Sequence, residues 1–341
     1  MHSAEKEYKS TINRLGLTLL MFWLLIEILL RPVSQLQYNW MVNGAGVGLY
    51  ILSDLLVSAA YLLSFLLPIP FFYLISGKKR TQSPFWSIRF PTTQRNGYSI
   101  LPIILSGIAI IWVAAYLNAL LVSIFDYSSF SSEALWSFAI EHDYDIVLLF
   151  VSTALVPAVC EELLFRGLIL TNLLPYGKKT AVLGSALLFA LMHENIEQVL
   201  YAFVAGIVLG LLYIKTKSIW LPTLLHFFNN FSSVVQITLS ERFEEQTATG
   251  LVALLNLTVL FLGVVSIIYL AIKQGLLFRK RHVAYQEGCY GQPPHSVIRI
   301  VDSARIEKAK KIKWFLLSPI LPYLILTTTV MITLLIYALK G

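Results

Sequence analysis

The chain has 341 residues, of which 57% are hydrophobic and 13% charged. Soluble domains carry about 25% charged residues, so this balance excludes an ordinary water-soluble fold and points to an integral membrane protein. The surplus of 26 Lys and Arg over 19 Asp and Glu reads as basic cytoplasmic loops rather than as a nucleic-acid surface.

A membrane-crossing helix needs about 20 mostly apolar residues. In chain order the sequence predicts nine: 15–30, 48–76, 100–125, 146–174, 180–194, 196–214, 219–239, 251–277 and 314–339. The first has a basic lead and an apolar core, as a signal peptide does, but no small-x-small cleavage site follows it and Glu27 interrupts it. It is therefore expected to remain as an uncleaved span. The fifth is short, and its boundary with the sixth is the least sharply marked.

The connections support this count. Those rich in Lys and Arg alternate with those poor in them along the whole chain, from Lys6, Lys9 and Arg14 in the N-terminal tail to the dense basic run between spans eight and nine. One span more or fewer would break the alternation, so the N-terminus is expected to be cytoplasmic. The predicted fold is thus an all-α polytopic membrane bundle of about nine transmembrane helices. The loop 278–313 is its only sizeable polar segment, and "RIEKAKKIKW" within it resembles a surface helix drawn to anionic membrane lipid. Of the two cysteines, Cys160 lies in an apolar run and Cys289 in this loop, so no disulfide framework is expected.

Polar residues inside the spans carry the functional argument, because a charge at the bilayer centre costs about 2.5–3.5 kcal/mol even on lenient scales. Span four holds "VPAVCEELLFRGLIL", with Glu161, Glu162 and Arg166. Residues four apart share a helix face. Arg166 can therefore neutralise Glu162, while Glu161 points about 100° away and has no local partner. A buried carboxylate so placed is a candidate general base. His193 ends span five, and His226 and Asn230 share a face of span seven. Counted along each helix, these side chains fall near one membrane depth. Ala202, Gly206 and Gly210 on span six have the small-xxx-small spacing that lets neighbouring helices approach closely. Glu27 and Asp54 read as interhelical hydrogen-bonding residues, Cys160 as core, and Glu194 and Glu197 as interfacial.

The stretches "EELLFR", "FALMH" and "HFFNN" match the EExxxR, FxxxH and HxxxN motifs of the CPBP family, which includes type II CAAX prenyl endopeptidases and bacterial Abi proteins. The resemblance covers about 145–235, roughly a quarter of the chain. Each motif alone is weak; three in order on predicted membrane helices are specific. The resemblance implies a helical bundle with a cavity at mid-depth and intramembrane peptide-bond hydrolysis. It implies that Glu161 activates water with His193, and that His226 and Asn230 stabilise the oxyanion. Glu162 and Arg166 would support them, and Phe189 would pack near His193. No cofactor is needed in that scheme. The substrate would be a peptide or protein, lipidated or membrane-associated, and membrane lipid would be the other partner.

Two other readings stand beside this one. A zinc-dependent metalloprotease could use Glu161, His193 and His226 as Zn²⁺ ligands with one open position, although HExxH is absent and "HENIE" puts Glu197 four residues after His193. A transporter, or a non-catalytic immunity or scaffold protein, could also bury Glu and His, but no inverted repeat is visible. The expected organisation is an N-terminal membrane region, 1–144, a catalytic core, 145–239, and a C-terminal membrane region, 240–341. A bacterial member would sit in the plasma membrane.

Overall fold

The computed structural model describes residues 2–44, 46–77, 100–124, 143–274 and 308–338. The basic connection 78–99, the connection 125–142 and most of the loop 278–313, Cys289 included, lie outside the described residues. Among those described there are only helices and turns. Each of the nine predicted segments is helical over most of its described residues. In chain order they are α1 (Glu5–Trp40), α2 (Gly48–Ser76), α3 (Ile100–Ser123), α4 (Tyr144–Tyr176), α5 (Lys178–Leu191), α6 (Ile196–Thr216), α7 (Trp220–Arg242), α8 (Glu245–Lys273) and the bent pair α9 (Lys310–Leu316 and Ile320–Thr333).

Six of these are long and apolar enough to cross a bilayer, and α9 makes seven if its two arms, bent by 62°, form one span. The nine-span expectation is thus approximate. The two that fall short do so for different reasons. Helix α5 has 14 residues, about 21 Å at 1.5 Å per residue, less than a hydrocarbon core. Helix α7 has 23 residues but spends much of its length on Thr, His, Asn and Ser. Two of those polar residues, Thr223 and His226, are buried in protein. The chain is a multi-pass membrane protein, and α8 shows the lipid side of it, with Leu254, Leu257, Phe261 and Ile272 all exposed.

The largest cluster of buried side chains joins Tyr8, Leu15 and Phe22 of α1, Phe65 and Phe72 of α2, Phe165 and Leu168 of α4, Phe189 of α5 and Tyr323 of α9. A second joins α3 to α6 and α7 through Ile108, Leu209 and Leu225. Helix α4 therefore has neighbours from both flanks of the central segment. Gly16 lets α1 meet α9 at the backbone, since a Cβ there would lie 2.5 Å from the Ile320 nitrogen.

The small residues of α6 act as their spacing predicts. A Cβ on Gly206 would stand 2.8 Å from both Cα and Cβ of Ala186 on α5. Gly206→Ala is expected to push α5 from α6 and lower stability by about 1–3 kcal/mol, the usual range for overpacking. An unfolding midpoint equal to wild type in detergent would show that the two helices can slide apart freely.

Candidate active site

Helix α4 is irregular where the charges sit. Its turns widen to i→i+5 bonding over Phe150–Leu155 and again over Leu163–Leu170, leaving Val156–Glu162 as a short α-helical stretch between them. Such widened turns recur at functional sites. Two side chains complete the disturbed ladder. Thr171 Oγ1 donates to the carbonyl of Arg166, five residues back, at 2.8 Å. In a regular α-turn the Thr153 carbonyl would accept from residue 157, but that residue is proline and has no N–H. Asn230 Nδ2 of α7 donates to it instead, at 3.2 Å.

Glu162 and Arg166 form the expected pair. Arg166 Nη1 donates to Glu162 Oε1 at 2.7 Å, and both residues are fully buried. The guanidinium carbon lies 4.3 Å from the centroid of the Phe189 ring, a cation–π geometry, and Nη2 reaches the Gly206 carbonyl at 3.4 Å. The close approach of α6 made possible by Gly206 is therefore also what offers Arg166 this acceptor.

His226 is brought to the same carboxylate. Its Nδ1 lies 3.0 Å from Glu162 Oε1. An ionised carboxylate can only accept, so Nδ1 carries the proton, and Nε2 is left facing Glu161, 3.7 Å from Oε2. His193 is oriented the same way by a different acceptor. Its Nδ1 lies 2.9 Å from the Phe189 carbonyl, so Nδ1 donates and Nε2 keeps its lone pair in the neutral ring. Phe189 stands between the two imidazoles, with its centroid 5.1 Å from that of His193 and 5.9 Å from that of His226. His193 is within electrostatic reach of both Glu161 and His226.

Glu161 takes its partner from another helix: Tyr61 of α2 donates its hydroxyl to Oε1 at 2.5 Å. Oε2 is buried and has no hydrogen-bond partner among the described residues. The Asn230 amide is engaged by the Thr153 carbonyl and by Asn229 Nδ2, which donates to its Oδ1 at 3.3 Å. One N–H of Nδ2 remains beyond the bond to Thr153.

Outside this cluster, Cys160 is buried core. Asp54 accepts from Gln37 of α1 at 3.5 Å, the interhelical role expected of it, whereas Glu27 pairs with Arg31 on its own helix at 2.7 Å. Glu194, expected at the interface, is tied to α1 through Trp23 Nε1 at 3.0 Å and through Arg31. These bonds anchor the turn that follows His193. Sequence reasoning missed Tyr61 altogether: one of three tyrosines in an apolar span, 100 residues from its partner, it belongs to no motif and no helix periodicity.

Among the described residues no group of three or more His, Cys, Asp or Glu is disposed to hold a metal ion. His193 and His226 each spend Nδ1 on another acceptor and keep Nε2, an arrangement that metal-ligating histidines also use.

A bundle of apolar helices that buries two carboxylates, an arginine and two oriented imidazoles together is a membrane protein with an ionisable site in its interior, and structures of that kind place functional groups where lipid would otherwise demand apolar ones. The comparisons agree with the class. Residues 143–232 match the family model described as "Type II CAAX prenyl endopeptidase Rce1-like", which spans Glu161, Glu162, Arg166, His193, His226 and Asn230. The chain is also similar to a Bacillus subtilis (strain 168) protein described as "Putative membrane peptidase YdiL", at 29% identity over 108 residues. That match covers 30% of this chain and 43% of the relative, so the similarity spans less than half of either. No solved structure matches.

Proposed function

We propose that this protein is an intramembrane endopeptidase that hydrolyses a peptide bond in a hydrophobic, lipidated or membrane-associated peptide or protein. The observation that carries the reading is Glu161 Oε2, a buried carboxylate oxygen without a hydrogen-bond partner among the described residues, beside an imidazole and next to a carboxylate that is already neutralised by arginine. In this reading Glu161, assisted by His193 Nε2, takes a proton from water. The hydroxide adds to the scissile carbonyl. The oxyanion is stabilised by the remaining N–H of Asn230 and by His226, which must then carry a proton on Nε2 as well as the Nδ1 proton that it donates to Glu162, and the proton taken from water passes to the leaving amine as the C–N bond breaks. The catalytic core is 145–239, with 1–144 and 240–341 as flanking membrane regions. Glu162 and Arg166 hold His226.

The test uses purified full-length protein and a quenched-fluorescence peptide ending in a prenylated cysteine motif, with a non-prenylated twin. His226→Ala and Asn230→Ala are each expected to lower kcat by about 10²–10³ with little change in KM, as loss of an oxyanion donor does. Asn230→Ala is also expected to lower stability, because it removes the bond from α7 to the Thr153 carbonyl. Wild-type turnover in both variants would sink the oxyanion assignment. Activity is expected to survive strong chelation. Activity lost to a chelator and restored by Zn²⁺ would instead recast Glu161, His193 and His226 as ligands.

A further inference from the structure

The geometry points to Tyr61 as a positioning residue for Glu161, contributed by α2 from outside the segment that matches the peptidase family model. The inference rests on the proposed role of Glu161 as base. Three observations carry it.

The first is the bond itself. At 2.5 Å it lies at the short end for a hydroxyl donating to a carboxylate, where charge assistance makes the bond strong. The second is the rigidity of the donor. The Tyr61 ring stacks on Phe65, one turn along α2, with centroids 4.4 Å apart and planes 19° from parallel. Phe65 in turn packs edge-on against Phe22 of α1, at 4.8 Å. The hydroxyl is thus held by two helices that carry no other part of the site. The third is what the bond leaves. Glu161 has two oxygens; Tyr61 occupies Oε1, and Oε2 is the one without a partner, on the side of His226.

A carboxylate on a flexible two-carbon stem can present either oxygen to water. Binding one of them to a fixed phenol removes that choice, so the proton is received at Oε2, next to the groups that would act on the tetrahedral intermediate. Arg166 does not do this job: its Nη1 and Nη2 go to Glu162 and the Gly206 carbonyl. Cys160 adjoins Glu161 in the chain, and Tyr201 of α6 lies within electrostatic reach of it. Tyr61 is the residue whose hydroxyl bonds to its carboxylate.

The experiment compares wild type, Tyr61→Phe and Glu161→Gln as purified full-length proteins in lipid nanodiscs. Wild type minus Glu161→Gln isolates the infrared carboxylate band of Glu161. Tyr61→Phe is expected to shift that band and to lower kcat on the prenylated peptide by about 10–100-fold, the range that misplacing a reacting group by an ångström reaches, with KM within about twofold and the unfolding midpoint close to wild type. An unshifted band, or a shifted band with full kcat, overturns the proposal. A loss of kcat with the band unmoved overturns it too, since the effect is then not on Glu161. Should Tyr61→Phe fail to fold, 3-fluorotyrosine at position 61 keeps ring and hydroxyl but strengthens the donor; the Glu161 band must then move, and a stationary band is the negative result. If wild type leaves the peptide uncut, the endopeptidase reading fails on that arm while the infrared comparison still decides the Tyr61–Glu161 bond.

Discussion

Replacing Glu161 by glutamine is expected to abolish hydrolysis and leave the protein folded. Glutamine keeps the volume and an acceptor oxygen, so the Tyr61 hydroxyl retains its partner. What disappears is a group able to take a proton. Loss of a general base removes about 10²–10⁴ in rate, which puts the variant at or below the background of most peptide assays. The unfolding midpoint should match or exceed wild type, because the change removes one negative charge from a buried cluster in which Glu161, Glu162 and His226 lie together. Turnover within a few-fold of wild type would show that Glu161 is not the base. A variant that is inactive because it unfolds would show that the carboxylate is there for packing.

Replacing Arg166 by alanine is expected to lower stability more than any change to Glu161. Arg166 is wholly buried, and its loss would leave Glu162 as a buried charge with only His226 for company. Removing one member of a buried pair typically costs about 3–5 kcal/mol. Arg166→Ala would also open a hole against Phe189 and unsatisfy the Gly206 carbonyl. The measurement is a double-mutant cycle on unfolding in detergent. Glu162→Gln and Arg166→Ala should couple strongly, and the double variant should be more stable than the sum of the single losses implies. Glu161→Gln and Arg166→Ala should couple weakly, because Arg166 donates to Glu162 and to Gly206 and not to Glu161. Equal coupling of the two glutamates to Arg166 would end the division of labour between them.

Much of the site was legible because helix periodicity is local. A spacing of four from Glu162 to Arg166 sets them on one face, and the pair is there at 2.7 Å. The same rule sets His226 and Asn230 one turn apart on α7, and both do face α4. Gly206 was readable as a close-approach position because a residue without Cβ has few other uses in the middle of an apolar helix.

The sequence by itself determined the class of the protein, the run of helices and the six residues that carry the candidate chemistry. Each of these depends on composition or on spacing along a single helix, where 3.6 residues per turn makes chain position a coordinate. Only the tertiary structure decided how the six divide their bonds. Asn230 donates to the Thr153 carbonyl, to which Pro157, four residues on, has no N–H to offer. Glu162 holds Arg166 and His226 together. Tyr61 reaches Glu161 across two helices. These contacts join elements far apart in the chain, and their partners are selected by how α2, α4 and α7 pack. No regularity within one segment encodes the distance between two.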